Sequence, residues 1–255
     1  MPSKPLLYAA VAGAFALTAV GFARADSFST AQRGDIEKII REYLVSHPEV
    51  LQEAMAELEK RQQAAEAEKS KLAIKNNAQE IFNSTRQVTI GNPAGDVTLV
   101  EFFDYNCGYC KRALSDLLGI MKADSKVKVV LKEFPVLGPG SVEAAQVAIA
   151  VRMQDKTGKK YLEFHQKLLG SRGQADKAHA LAAAREVGLD MARLEKDMTS
   201  DEVKATIDEN LKLAEALGMN GTPSYVVGSE VVVGAVGLES LQQKVKSARC
   251  GAATC

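Results

Sequence analysis

The stretch that decides the fold is Val97-Thr98-Leu99-Val100-Glu101-Phe102-Phe103, followed after three residues by Cys107-Gly108-Tyr109-Cys110. The first seven residues form a β-rich apolar run, and residues 111–121 have the pattern of an amphipathic helix. A Cys-x-x-Cys pair between a strand and a helix is the local arrangement of a dithiol redox centre. The helix N-terminus would stabilise a thiolate at Cys107, which could attack disulfides, and Cys110 is placed to resolve the mixed disulfide.

Two other readings of the cysteine pair remain open. A zinc site needs two further ligands, but the other cysteines are near the C-terminus and the histidines are scattered; these residues are Cys250, Cys255, His47, His165 and His179. A structural disulfide within the motif would close a strained ring that is easily reduced. Redox chemistry is the interpretation that we favour, with no metal and no cofactor.

Residues 1–25 have the pattern of an export signal. Lys4 gives a positive start, an apolar run follows to Phe22, and Ala23-Arg24-Ala25 is a cleavage sequence of the A-x-A type. An uncleaved membrane anchor is the alternative, although this run, rich in Ala and Gly, makes a weak span. We therefore expect cleavage after Ala25 and an exported protein, in a compartment where disulfides persist.

Composition excludes some classes of function. The 255 residues include 32 basic and 32 acidic side chains, and loss of residues 1–25 leaves a formal charge of −2. The sequence has no basic stripe typical of nucleic-acid binding and no glycine-rich phosphate loop. The chain lacks Trp and only 5% of it is aromatic, so the core must be built mainly from aliphatic side chains.

Two apolar helical stripes follow the export signal. The first lies on residues 35–47 and the second begins at Pro48; their apolar members are Ile36, Ile39, Ile40, Tyr43 and Leu44, then Val50, Leu51, Ala54, Met55 and Leu58. Residues 59–77 turn polar and predict a solvated helix or a semi-flexible linker. Because the stripes are too small to form a core, they must pack on the catalytic domain or on another copy. We favour self-association through residues 35–58.

The rest of the chain alternates strands and helices. Strands are predicted at residues 87–90, 97–103, 127–134, 224–227 and 231–235, and helices at residues 111–121, 141–154, 159–169, 177–187, 191–198, 201–217 and 238–248. The order is a βαβ unit, a helical block and a ββα unit, which predicts an α/β thioredoxin-like fold with inserted helices. We divide the chain into residues 1–25, an N-terminal helical segment 26–60, a helical linker 61–84, and a catalytic domain 85–255 with its insertion at about 140–200.

Three motifs resemble the DsbA family of thiol:disulfide interchange proteins. They occur in the family's order, within residues 88–248: Glu101 to Lys111, Phe134-Pro135-Val136-Leu137-Gly138, and Gly221-Thr222-Pro223-Ser224. The N-terminal segments 39–44 and 47–51 are similar to those of ScsC-type proteins, the suppressor-of-copper-sensitivity group. That resemblance implies a periplasmic protein, trimerisation through the N-terminal segment and disulfide isomerase activity. It also implies cysteine-containing protein substrates and a membrane thiol reductase or oxidase as redox partner.

The resemblance also implies roles for individual residues. Thr222-Pro223 matches the position of a cis proline that faces the dithiol, so Thr222, Pro223, Gly108 and Tyr109 are expected to contact substrate. An ordinary trans proline at a strand start is the alternative. Glu101 matches a buried acid that relays a proton to the resolving thiol, although an exposed strand carboxylate is also possible. Strong oxidants of the family often have a His before the second Cys, where this chain has Tyr109.

The last two cysteines, Cys250 and Cys255, are interpreted as a small structural disulfide, with a second redox pair or a metal clip as alternatives. The function that we predict is a protein disulfide isomerase or thiol:disulfide oxidoreductase that acts through Cys107 and Cys110. Two alternatives remain open: a DsbA-like dithiol oxidase, and a copper-binding protein that uses the same thiols, because thiolates suit Cu(I).

Overall fold

The computed structural model describes residues 28–155 and 157–251. The predicted export signal and Cys255 lie outside these residues. The chain divides into two compact units at Glu59–Lys60, inside a long helix. The elements are α1 (Thr30–Ser46), α2 (Glu49–Asn76), α3 (Ala78–Phe82), β1 (Val88–Gly91), β2 (Val97–Phe103), α4 (Gly108–Ala123), β3 (Val127–Glu133), α5 (Pro139–Gln154), α6 (Lys159–Gly170), α7 (Lys177–Glu186), α8 (Met191–Asp197), α9 (Asp201–Ala216), β4 (Ser224–Val227), β5 (Glu230–Val233) and α10 (Leu238–Cys250).

The first unit contains α1 and the start of α2. Ser29 caps α1 in a capping box with Gln32, and α1 ends at Ser46, with His47 as its C-cap before Pro48. No side chain of α1 is buried. The exposed large apolar side chains of this unit are Phe28, Ile39, Ile40, Tyr43, Val45, Leu51, Met55 and Leu58. Most of the side chains on the two predicted stripes are therefore uncovered in the single chain.

The second unit is built on a five-stranded sheet in the order β1-β3-β2-β4-β5. Strands β2 and β3 are parallel and are joined by the crossover helix α4, whereas the other neighbouring strands are antiparallel. Helices α5–α9 lie between β3 and β4 in the chain, and β4 and β5 form a hairpin. The predicted α/β thioredoxin-like class, with inserted helices and an N-terminal helical extension, is confirmed.

Alternation along β2 divides its side chains between two hydrophobic clusters. Leu99 and Phe103 belong to the larger cluster, with Cys107, Cys110 and the helices after β3. Val100 and Phe102 belong to the second cluster, which also holds residues of α2, α3 and α9, namely Ile74, Ile81 and Leu213. Both faces of the strand are therefore covered, which explains why its sequence is an almost unbroken apolar run.

Several boundaries differ from the sequence-based expectation, and two of them concern the cysteine motif and the hairpin. Helix α4 begins at Gly108, three residues before the expected start, so the second cysteine lies in its first turn. Strand β5 ends at Val233 because Gly234 adopts a φ of +90°, a conformation that favours glycine. Of the described helices, none has the length and apolar character needed to span a membrane.

Candidate active site

Cys107 is the N-cap of α4, and its sulfur faces the helix. The Cys107 Sγ accepts a hydrogen bond from the backbone N–H of Cys110 at 3.2 Å. The same thiol donates to the carbonyl oxygen of Thr222 at 3.1 Å. Both thiols are free and largely buried, with 5% of Cys107 and none of Cys110 exposed. The helix amide would stabilise a negative charge on the first sulfur, which is the arrangement expected of an attacking thiol.

The environment of Cys110 favours its protonated form. Burial is the main cause that raises the pKa of this thiol, and the hydrogen bond with Cys107 raises it further, as does the charge of Glu101 when that carboxyl is ionised. A thiol held neutral until a proton acceptor becomes available suits the resolving role better than the attacking role.

Glu101 is a buried acid on the sheet face that carries the dithiol. It alternates with Val100 and Phe102, so its side chain points to the same face as Leu99 and Phe103. Only 3% of the residue is exposed, and burial, with a smaller contribution from the charge of Asp116, raises its pKa to about 8. The carboxyl group is therefore mainly protonated at pH 7.

The Thr222–Pro223 peptide bond is cis and lies directly before β4. The turn brings the Thr222 carbonyl against the Cys107 sulfur. The two residues between the thiols are accessible to other molecules. A Cβ placed on Gly108 would lie more than 4 Å from any described atom other than those of its chain neighbours and its own helix backbone. The Tyr109 side chain is 60% exposed. The Arg112 guanidinium lies 4.4 Å from the centre of the Tyr109 ring, a cation–π distance.

A polar cluster that the sequence analysis did not identify holds the turn before Cys107. The Asp104 carboxylate accepts hydrogen bonds from the backbone N–H groups of Asn106, Val136 and Leu137 and from the Ser141 hydroxyl, at 2.7–3.0 Å. Its own carbonyl accepts from the Cys107 N–H at 3.1 Å. An aspartate that accepts the N–H two residues later forms an Asx turn, so the contact between Asp104 and Asn106 could have been predicted from the sequence.

Comparison with known families shows which family the chain belongs to. The DSBA-like thioredoxin domain family model matches residues 98–246, which is more than half of the chain. The chain belongs to this family. The N-terminal domain model of the copper resistance protein ScsC matches residues 32–65. The resemblance to DsbA-family and ScsC-type proteins is thereby confirmed.

Solved structures of DsbA-like proteins agree with this assignment. A thioredoxin-like oxidoreductase from Silicibacter pomeroyi DSS-3 is 46% identical, with 68% of this chain and 98% of that chain covered and a TM-score of 0.65. A linker-deletion mutant of Proteus mirabilis ScsC is 29% identical, with 89% and 100% covered and a TM-score of 0.66. A periplasmic thioredoxin-like protein from Salmonella enterica serovar Typhimurium is 30% identical, with 68% and 95% covered and a TM-score of 0.60.

Curated relatives differ in length from this DsbA-family chain. The match to a Na(+)/H(+) antiporter NhaA 1 of Salinispora arenicola is 27% identical and covers 61% of this chain, but only 24% of the antiporter. The chain thus spans about a quarter of the length of such relatives. A probable disulfide bond formation protein D of Bacillus cereus is 24% identical, with 61% of this chain and 76% of that protein covered.

A second buried polar cluster lies in the larger core of this DsbA-family domain. The Tyr161 hydroxyl donates to Glu133 at 2.5 Å, and the Tyr105 hydroxyl contacts Tyr161 at 3.3 Å and His165 Nδ1 at 3.2 Å. Burial lowers the pKa of His165 to about 3, so the ring is neutral. His47 and His179 are exposed. Among the described residues, no group of three or more His, Cys, Asp or Glu side chains is arranged to hold a metal ion.

Of the two C-terminal cysteines, the structure describes only Cys250. Cys250, the last residue of α10, is disulfide-bonded. Its predicted partner, Cys255, lies outside the described residues, so the pairing stays a prediction.

Proposed function

We propose that this protein is a thiol–disulfide oxidoreductase that exchanges disulfides with polypeptide clients. The observation that carries the proposal is the Cys107 sulfur at the start of α4, bonded to a helix N–H and facing the cis-proline turn. In the reduced enzyme, the Cys107 thiolate attacks one sulfur of a client disulfide and forms a mixed disulfide. The other client sulfur leaves as a thiolate and takes up a proton.

Resolution of the mixed disulfide requires Cys110 to lose its proton. Glu101 lies on the same sheet face as the dithiol, and its charge, when ionised, raises the pKa of Cys110. The pKa of Glu101 itself is about 8, close to pH 7. The carboxyl is mainly protonated at pH 7, and its minor ionised form can accept the Cys110 proton as that sulfur attacks Cys107. The Cys107–Cys110 disulfide then forms, and the client leaves with two reduced cysteines. Attack by a third client cysteine thiolate on the client sulfur of the mixed disulfide instead forms a different client disulfide, with the Cys107 thiolate as the leaving group, and returns the reduced enzyme.

Rearrangement of the client disulfide is isomerisation, which we propose as the main activity. We place this activity in the periplasm, after removal of residues 1–25. It requires a reduced resting enzyme, kept so by a membrane thiol reductase. The dipeptide Gly108-Tyr109 has no positive side chain to stabilise the thiolate strongly, which argues against an extreme oxidant. The named Salmonella neighbour is periplasmic, which supports the location.

Self-association through residues 35–58 is part of the same proposal, with a trimer favoured. The exposed apolar side chains of the first unit include Ile39, Ile40, Leu51 and Met55, and each is about half exposed or more. Burial of such a stripe between copies is favourable, at roughly 25 cal/mol per Å² of apolar surface. Several dithiols on one assembly could engage one misfolded client together.

The test is the refolding of a client with scrambled disulfides, with the full chain and with Ile40→Glu/Leu51→Glu. Both substitutions are at exposed positions, so they leave the core intact, and Glu37→Gln/Glu53→Gln is the matched control. We expect the first variant to be monomeric in sedimentation and to lose refolding activity while it still exchanges with glutathione. A monomeric variant with full refolding activity would contradict the role of assembly, and a wild-type protein isolated with an oxidised dithiol would favour the oxidase alternative.

A further inference from the structure

An asparagine–glycine pair lies directly before the cis-proline turn. Asn220 is exposed and lies outside any helix or strand, between α9 and β4. A Cβ placed on the next residue, Gly221, would meet no atom within 4 Å beyond its chain neighbours. Within the described part of the chain, no hydrogen bond engages the Asn220 side chain or the Gly221 N–H. The side-chain amide and the backbone nitrogen that follows it are therefore unhindered.

Such a pair can rearrange covalently without an enzyme. The deprotonated Gly221 nitrogen attacks the side-chain carbonyl carbon of Asn220, a C–N bond forms, and the amide nitrogen leaves as ammonia. Water then opens the resulting succinimide ring at either carbonyl. Opening at the side-chain carbonyl gives aspartate, whereas opening at the main-chain carbonyl gives isoaspartate, in which the chain runs through the former side chain. Glycine in the second position favours the attack, because no side chain shields its nitrogen.

The segment that would change is fixed at both ends. Met219 is buried, and its N–H donates to a carbonyl of α9 at 2.8 Å. Pro223 is also buried, and its carbonyl accepts the Gly234 N–H at 2.8 Å. Isoaspartate adds one carbon–carbon bond, about 1.5 Å long, to the main chain between these two points. The residues between them must absorb the added length, and they include Thr222, whose carbonyl lies 3.1 Å from the Cys107 sulfur.

We propose that Asn220–Gly221 is a modification site, at which deamidation to aspartate or isoaspartate slows disulfide exchange at Cys107. The modification follows from the pair itself, whereas its effect on exchange rests on the proposed function. The new carboxylate lies two residues from Thr222, at a distance on the order of 10 Å from the sulfur. With an effective dielectric constant of about 40, its repulsion of a Cys107 thiolate corresponds to about a fourfold slower attack. Displacement of the Thr222 backbone slows exchange further, because a client strand is expected to lie there.

The first part of the test measures the modification. The purified full chain is incubated with reductant at mildly alkaline pH, where the Gly221 nitrogen loses its proton more readily, and at mildly acidic pH. Mass spectrometry of proteolytic peptides detects aspartate in place of Asn220, and labelling by an isoaspartyl methyltransferase detects isoaspartate. Asn83 is an internal control, because it is exposed but is followed by Ser84, whose side chain hinders the attack. We expect Asn220 to convert several-fold faster than Asn83 at alkaline pH, and equal rates would overturn the inference.

Two variants remove the reactive pair. Asn220→Gln requires a larger ring, and Gly221→Ala places a methyl group beside the nitrogen, in open space and at a residue without a positive φ. Both should exchange with an unstructured peptide disulfide as fast as fresh wild type and should lose no activity on incubation. Wild type should lose activity in proportion to the modified fraction, and the separated modified form should be about fourfold slower or more. A modified form as fast as fresh protein would overturn the inference, and so would an equal loss of activity in Asn220→Gln.

Asn220→Asp separates the charge from the added chain length. This variant has the carboxylate on an unchanged main chain and should show about the fourfold loss alone. The isoaspartate form should be slower still, and a rate equal to that of Asn220→Asp would refute the displacement of Thr222. Lack of exchange by fresh wild-type protein would instead refute the proposed function, while conversion of Asn220 seen by mass spectrometry would still establish the modification.

Discussion

Replacement of Glu101 by Gln should change how the stability of the protein depends on pH. Burial raises the pKa of this carboxyl from 4.5 to about 8 in the folded chain. In the unfolded chain the group ionises near its ordinary pKa. Between these two values the folded state keeps a proton that the unfolded state has lost. The contribution of Glu101 is therefore most favourable below pH 4.5 and is lost as the pH rises towards 8.

The size of the stability loss follows from the pH interval between the unfolded and folded pKa values of Glu101. Each pH unit inside it costs the folded state about 1.4 kcal/mol, so a rise from about pH 5 to about pH 7.5 costs roughly 3 kcal/mol. A glutamine side chain at this position does not titrate and cannot show this loss. The free energy of unfolding of Glu101→Gln, relative to wild type, should thus increase by roughly 3 kcal/mol across the same interval.

Urea unfolding of both proteins at several pH values, with reductant present, measures the difference. Other titrating groups are common to the two proteins and cancel in the comparison. Glu230→Gln is a suitable control, because Glu230 is exposed and pairs only with Lys244 among the interactions seen for its carboxylate. Parallel stability curves for wild type and Glu101→Gln would refute the assignment of a buried, protonated acid beside the dithiol.

Three further predictions concern the same core. Cys110→Ser should accumulate a mixed disulfide between Cys107 and a client, visible on non-reducing gels, since no second thiol is available to resolve it; Cys107→Ser should form none. Asp116→Asn should lower the pKa of Glu101 only in part, because burial is the larger cause, and carboxyl NMR titration would measure the shift. Below pH 6.5 the His165 ring gains a proton in the unfolded chain but not in the folded chain, where its pKa is about 3, so wild-type stability falls by about 1.4 kcal/mol per pH unit. His165→Phe should remove this loss, and equal acid sensitivity of the two proteins in urea unfolding would contradict it.

Local patterns in the sequence were sufficient for the fold. The apolar run before Cys107, the amphipathic pattern after it and the two strand patterns at residues 224–227 and 231–235 each predict their element. The structure has β2, α4 and the β4–β5 hairpin at these places. The physical reason is that these elements are stabilised by contacts with a regular period, which a single sequence displays.

Contacts between distant segments could not be predicted in the same way. Asp104 binds the loop after β3, and Asn106 exchanges two hydrogen bonds with the backbone of Ala175. These pairings depend on where the helices inserted after β3 come to lie, and no local pattern encodes that. The burial of Glu101 could not be predicted either, because the coverage of both faces of β2 depends on where the helices come to lie.

The residues that close the second cluster have a practical consequence for truncated forms. Ile74 on α2 and Ile81 on α3 are almost fully buried against β2 and α9, upstream of the first strand. An expressed fragment that begins at residue 85 would leave Val100 and its neighbours facing water and should precipitate or bind hydrophobic dyes. A fragment that begins at residue 60 would keep this covering and should behave as a soluble, independently melting piece.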